Sequence, residues 1–171
     1  IYGQTRKGGV LTFQDVSDVG SEDDNGYLWQ VIALAGHEID SVQRIQLQGR
    51  NGIVDMDLST YHNVGTGALE HPDFQDGDDF YLAHLWLHLG ADSQTADSNL
   101  TGAFPTKWTS AHRGDGIAYA VLRYKVDESE SGNDPDDPSA NVWYKGVPNP
   151  TFTIRGKKVR DPRNSPATQA W

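Results

Sequence analysis

The chain reads as a series of short apolar runs, each of strand length and each closed off by Gly, Asn, Asp or Pro. Residues 9–13 (Gly-Val-Leu-Thr-Phe) form a first short run after the Arg6-Lys7-Gly8 turn, and residues 17–26, with Glu22, Asp23 and Asp24, read as an acidic loop. Residues 27–35 (Tyr-Leu-Trp-Gln-Val-Ile-Ala-Leu-Ala) are nearly all apolar, the pattern of a strand buried on both faces. Residues 43–48 alternate instead, with Ile45 and Leu47 on one face. Asn51-Gly52 then supplies a hairpin turn, because both residues tolerate positive φ. The return strand, 53–58, points Val54, Met56 and Leu58 inward and Asp55 and Asp57 outward.

Residues 59–79, rich in Gly, His and Asp, read as loop. The strongest apolar run, 80–89, is bracketed by Gly77 and Gly90 and dominated by large residues, which favours a strand over a helix. Residues 91–110 are polar, with one helical turn expected from Asp97 as N-cap. Residues 117–126 are a further strand with Ala118, Ala120, Leu122, Tyr124 and Val126 on one face. The acidic stretch 127–140, with two Pro and three Ser, reads as an exposed loop. Residues 151–155 and 157–160 suggest a closing hairpin about Gly156. The expectation for 1–171 is one mainly β domain of antiparallel strands and hairpins, with long polar loops and little helix.

Charge refines this picture. Fourteen basic residues stand against twenty-four acidic ones, a net −10, which argues against binding nucleic acid or anionic membrane. The basic residues are uneven: Lys145, Arg155, Lys157, Lys158, Arg160 and Arg163 meet one acid within 145–163, a local +5 in a chain otherwise at −15. That basic C-terminal hairpin is the candidate docking surface for an acidic neighbour. The bland alternative is internal pairing with the acidic loops near Asp79 or Asp137, each surface pair contributing only about 0–1 kcal/mol. The absence of Cys removes disulfides, thiolate nucleophiles and Cys-based zinc sites, and suits assembly in a reducing cytoplasm. No apolar run is long enough for a membrane anchor. The start at Ile1, without Met, reads as a segment of a longer protein.

Candidate chemistry is sparse. His84 and His88 share a strand face with Trp86 between them, but no third ligand stands nearby, so they read as core or edge residues. Asp76-Gly77-Asp78-Asp79 and Asp134-Pro135-Asp136-Asp137 lack the alternation of a calcium loop and read as solvated. His37, Glu38 and Asp40 cluster after Gly36, but no Gly-x-Ser-x-Gly nucleophile turn accompanies them. Arg113-Gly114-Asp115 reads as a tight turn leading into a strand, and Asn99-Leu100-Thr101 as a glycosylation sequon that matters only in a secretory pathway. Trp29, Trp86 and Trp143 fall within apolar runs and read as core rather than as a sugar-stacking platform. No catalytic residue, metal or cofactor is called for.

Several segments resemble, in order, the lambda-like phage tail tip attachment (host-specificity J) proteins, the central tail hub of long-tailed phages. They are Tyr2-Gly3 with residues 8–13; Leu34-Ala35-Gly36-His37-Glu38-Ile39-Asp40; Trp108-Thr109 with His112-Arg113-Gly114 and Gly116-Ile117-Ala118-Tyr119; residues 146–150; residues 155–159; and Asp161-Pro162-Arg163. Residues 51–105 carry little of the likeness, and the loop 127–140 departs from the shorter connection expected. The resemblance implies a non-enzymatic virion structural role: a tail tip domain linking tail tube to host-attachment parts. It further implies a homotrimer in the full assembly, contacts with other domains of the same hub chain and with other tail proteins, and assembly in the bacterial host cytoplasm. A carbohydrate-binding β-sandwich, which would expose coplanar Trp and Tyr rings, is the alternative, and a hydrolase or metalloenzyme with converging acids and histidines is the third reading.

Overall fold

The structure is a computed structural model and describes residues 2–19, 23–76, 80–125, 142–143, 145–157, 159–160 and 169–170. The stretch 127–140 therefore lies outside the described residues, as do Asp78, Asp79, Lys158 and Arg163. The strands are β1 (Gln4–Lys7), β2 (Val10–Val19), β3 (Asp23–Ala35), β4 (Ser41–Gly49), β5 (Gly52–Asp57), β6 (Gln75–Asp76), β7 (Phe80–Tyr81), β8 (Ala83–Leu89), β9 (Ala118–Lys125), β10 (Thr151–Arg155), β11 (Val159–Arg160) and β12 (Gln169–Ala170). Two short helices, α1 (Leu58–Tyr61) and α2 (Ser98–Ala103), and one 3-10 turn (Pro72–Phe74) complete the described elements. The fold is mainly β, as the sequence pattern requires.

Two four-stranded antiparallel sheets carry the domain, ordered β1-β10-β4-β5 and β2-β3-β9-β8. Their facing sides form one core: Val42, Ile45, Leu47, Met56, Phe152 and Ile154 from the first meet Ile32, Leu34, Leu85, Ala120, Leu122 and Tyr124 from the second. The second sheet is also covered on its far side, where Trp29, Val31, Tyr119 and Val121 pack against Leu100 and Phe104 of the α2 region. Two covered faces explain why residues 27–35 and 118–124 are apolar at both parities, while β4 and β5 alternate. Asp97 caps α2 as expected, accepting from the N–H of Asn99 and of Leu100 at 2.9 Å.

Three expectations change. The loop at 17–26 is instead the end of a hairpin, since β2 runs to Val19 and β3 starts at Asp23, with Ser17 opposite Tyr27. Backbone pairing sustains these strands although polar residues occupy them. The hairpin about Gly156 is absent: β10 lies between β1 and β4, and Val159–Arg160 pair with Gln169–Ala170. Phe152 and Ile154 are fully buried, and a central position encloses them better than a local hairpin would. Within 59–79, Leu69 and Phe74 are fully buried core residues, so that stretch contributes packing as well as connection.

Val142 and Trp143 join the core between the sheets. Trp143 stacks on Phe74 at 5.8 Å and donates from Nε1 to Lys125 O at 2.7 Å. Gln30, almost wholly buried, donates to Pro148 O at 3.2 Å and so fixes Pro148 to β3. Truncating Leu122, which is fully buried at the centre of the inter-sheet core, is expected to cost about 2–5 kcal/mol. Truncating Ile53, 74% exposed on an edge strand, is expected to cost under about 0.5 kcal/mol. Urea unfolding of Leu122→Ala and Ile53→Ala, compared with the parent chain, checks both.

Candidate interaction surface

The basic residues of 145–163 do not gather on one hairpin. Lys145 is exposed beside the left-handed Gly146 (φ +94°) and lines a cleft of about 250 Å³ with Gln46, Gln48 and Ile53. Arg155 ends β10, paired with Gln4 of β1 and Ser41 of β4; with the Gln43 amide turned to satisfy its neighbours, the Gln43 oxygen accepts from Arg155 Nε at 3.0 Å. Lys157 is exposed and bridges Tyr2. Lys145 and Lys157 thus lie beyond opposite ends of a strand whose five residues span roughly 13 Å. Arg160 belongs to β11 by its backbone, while Lys158 and Arg163 fall outside the described residues. The sequence missed this division because it depends on β10 being a central strand.

The outer face of the first sheet holds an ion network. Asp55 pairs with Arg6 and with Arg44 at 2.9 Å each, and Arg44 reaches Asp57 at 3.4 Å. Burial raises the Asp55 pKa, but the hydrogen bond and charge of Arg44, with Arg6 and Gln46, outweigh it and hold the carboxyl below its usual range. These groups are well exposed, so the network fixes strand register more than it adds stability.

The second sheet's outer face carries the two histidines. His84 stacks on Trp86 at 5.8 Å, while His88 stacks on Tyr119 at 4.3 Å and meets Asp97 at 2.9 Å. Burial opposes the Asp97 anion, yet hydrogen bonds from His88, Leu100 N–H and Asn99 N–H keep its pKa lowered. Burial also pushes the Tyr119 hydroxyl up to about 12. His88 thereby ties β8 to the start of α2. No group of three metal-ligating side chains occurs among the described residues.

The other sequence candidates lie apart. His37 Nδ1 sits 2.8 Å from Glu38 O, and Asp40 accepts from Ser41 Oγ at 3.2 Å, in the turn around the buried Ile39. Arg113 pairs with Asp115 within its own turn, so the two charges are spent on each other. Gly114 there has φ +65°, and a Cβ would meet the Tyr119 ring at 2.8 Å. Asp76 ends the described part of its cluster, and Asp134, Asp136 and Asp137 lie outside it. Asn99 is half-buried on α2. Trp29 and Trp143 are buried, as read from the sequence, whereas Trp86 is half-buried over Gly67, whose added Cβ would lie 2.5 Å from the indole.

Row pairing across the second sheet builds a feature that no motif announces. Asp15, Trp29, Arg123 and His84 stand opposite one another on β2, β3, β9 and β8. The Arg123 guanidinium lies over Tyr27 at 4.5 Å, Trp86 at 5.4 Å and Trp29 at 5.5 Å. Burial first, then the Arg123 charge, lowers the His84 pKa to about 4. Unfolded His84 protonates near pH 6.5, so between those values the unfolded chain binds more protons and stability falls as pH drops. With a discount for partial exposure, the loss from pH 7 to pH 4 is about 1–2 kcal/mol. Melting curves across that range should show His84→Gln gaining on the parent as pH falls; a constant difference between the two would contradict this.

No protein-family model and no curated protein sequence matches the chain. Among solved structures it is similar to a chain of the virion of a native gene transfer agent particle, with 19% identity and a TM-score of 0.51. The alignment covers 96% of this chain and 28% of that one, so the chain spans a little over a quarter of its neighbour's length. At that identity, the likeness is one of fold.

Proposed function

We propose that this chain is a virion structural module, one domain of a phage-type tail tip hub that links the tail tube to host-attachment parts. The observation that supports it best is the fold likeness over nearly the whole chain to part of a longer chain in a virion particle. The segment resemblance to tail hub proteins, from Tyr2 to Arg163, points the same way.

The role is non-enzymatic. The histidines and acids that invite a catalytic reading among the described residues serve in packing, capping and turns: His88 with Asp97, Arg113 with Asp115, His84 on Trp86. The module meets other domains of its own hub chain and other tail proteins, in an assembly with three hub copies, and its place is the virion tail tip. Lys145 and Lys157, beyond opposite ends of β10, supply two separate electrostatic contacts to acidic neighbours rather than one basic patch. Among the described residues, no helix is long and apolar enough to cross a membrane.

Immunoelectron microscopy of particles from cells expressing the full-length protein, epitope-tagged next to this module, tests the placement. Label at the tail tip is the expected result; label on the head, or none on particles, would reject it. Lys145→Glu with Lys157→Glu should shift the melting temperature by less than about 2 °C, since both side chains are exposed, while reducing tail assembly at least tenfold. Normal particle yields from this double variant would remove the electrostatic docking.

A further inference from the structure

Arg123 sits where a charge needs a partner, and none of its own chain supplies one among the described residues. Its guanidinium is half-buried against three aromatic rings, and Nε is buried without a hydrogen-bond acceptor. Ion pairs formed between described residues engage Arg6, Arg44, Lys107 and Arg113, with His88 meeting Asp97, and these do not include Arg123. This occurs in a chain with ten more acids than bases, where a carboxylate would be easy to provide. Lys125, two residues along the same strand face, rests over Phe80 at 4.7 Å, so the second cation of this face also lies on a ring.

Arg123 borders a cleft of about 670 Å³ between β2, β3 and α2, also lined by Tyr27, Trp29, Ser98, Asn99 and Lys107. Lys107 is paired with Asp15. Three rings fix the place of the guanidinium, whose planar fork can donate two parallel hydrogen bonds to one carboxylate. The volume suits one or two sugar rings, within the usual range for small ligands. Hydroxyl and amide groups of Tyr27, Ser98 and Asn99 fit hydroxyl-rich ligands. At long range, the −10 charge repels a polyanion far more than a singly charged small acid.

We propose that this cleft binds the carboxylate-bearing ring of an acidic sugar, with Arg123 gripping the carboxylate and Asn99 and Ser98 beside the ring. The site differs from a stacking platform, because the aromatic faces hold the arginine rather than the sugar. It stands apart from the virion reading, since the chain in solution is enough to test it.

Intrinsic tryptophan fluorescence reports on Trp29 and Trp86, which both contact Arg123, so titration with glucuronate is the direct experiment. Saturable binding with a millimolar dissociation constant is expected, with glucose and acetate each at least tenfold weaker. Arg123→Lys should weaken glucuronate binding at least tenfold, because an ammonium lacks the fork. Asn99→Ala should weaken it several-fold at unchanged melting temperature, which keeps the test valid if the arginine variant unfolds. Equal responses to glucose or acetate, unchanged affinity in both variants, or tighter binding of a Glu-rich peptide than of glucuronate would each overturn the proposal.

Discussion

Covering both faces of a single antiparallel sheet is the constraint on which the rest of the domain depends. An antiparallel sheet ordinarily leaves one face to water, and its strands then alternate. Here β2-β3-β9-β8 meets the other sheet on one side and the α2 region on the other. That demand puts Ile32 and Leu34 on one parity of β3 and Trp29 and Val31 on the other. It also leaves part of the outer face beyond the reach of α2, and there polar and charged groups take over. Arg123, His84 and Lys125 occupy that uncovered end, where the Arg123 guanidinium and the Lys125 ammonium rest on aromatic rings and His84 is held neutral by burial.

Polar side chains inside the fold act as fasteners at the joints between elements. Gln30 holds residues 146–150 to β3, His88 with Asp97 holds β8 to α2, and Trp143 through its indole N–H holds the segment after β9 to the end of that strand. Each fastener joins two separate elements or segments, and each is buried or half-buried, where a hydrogen bond lost is costly. The domain can therefore carry long polar connections without losing the relative position of its sheets.

Much of the architecture was legible in the residues because it follows local periodicity. The β4–β5 hairpin, with Met56 inward, the strand at 27–35 buried on both faces and the strand in 117–126 needed only periodicity and turn chemistry. The misreadings share one origin. Residues 17–26 look like a loop because ladder hydrogen bonds are made by backbone and leave no mark on side-chain type. The supposed hairpin about Gly156 looked reasonable because nothing near β10 reveals that its partners are β1 and β4. The basic stretch had been legible as composition but not as a surface, since its geometry follows from that same pairing. Arg123 had no sequence signal at all: it lies in an ordinary strand, and its surroundings come from β3 and β8.

The position of β10 bears on the order in which the domain can be built. Gln4 finds its partner at Arg155, across almost the whole chain, whereas β2, β3, β8 and β9 are complete by Lys125. A chain emerging from the ribosome can thus close the second sheet while the first still consists of β1 apart from the β4–β5 hairpin. Until residues 151–155 arrive, β1 and β4 each present an open edge, and the side of the core that Phe152 and Ile154 will fill stands exposed. A slot of this kind accepts any strand of suitable pattern, so the interval before the chain's own β10 enters is when exchange of that strand between nascent copies, or its capture by a chaperone, can occur.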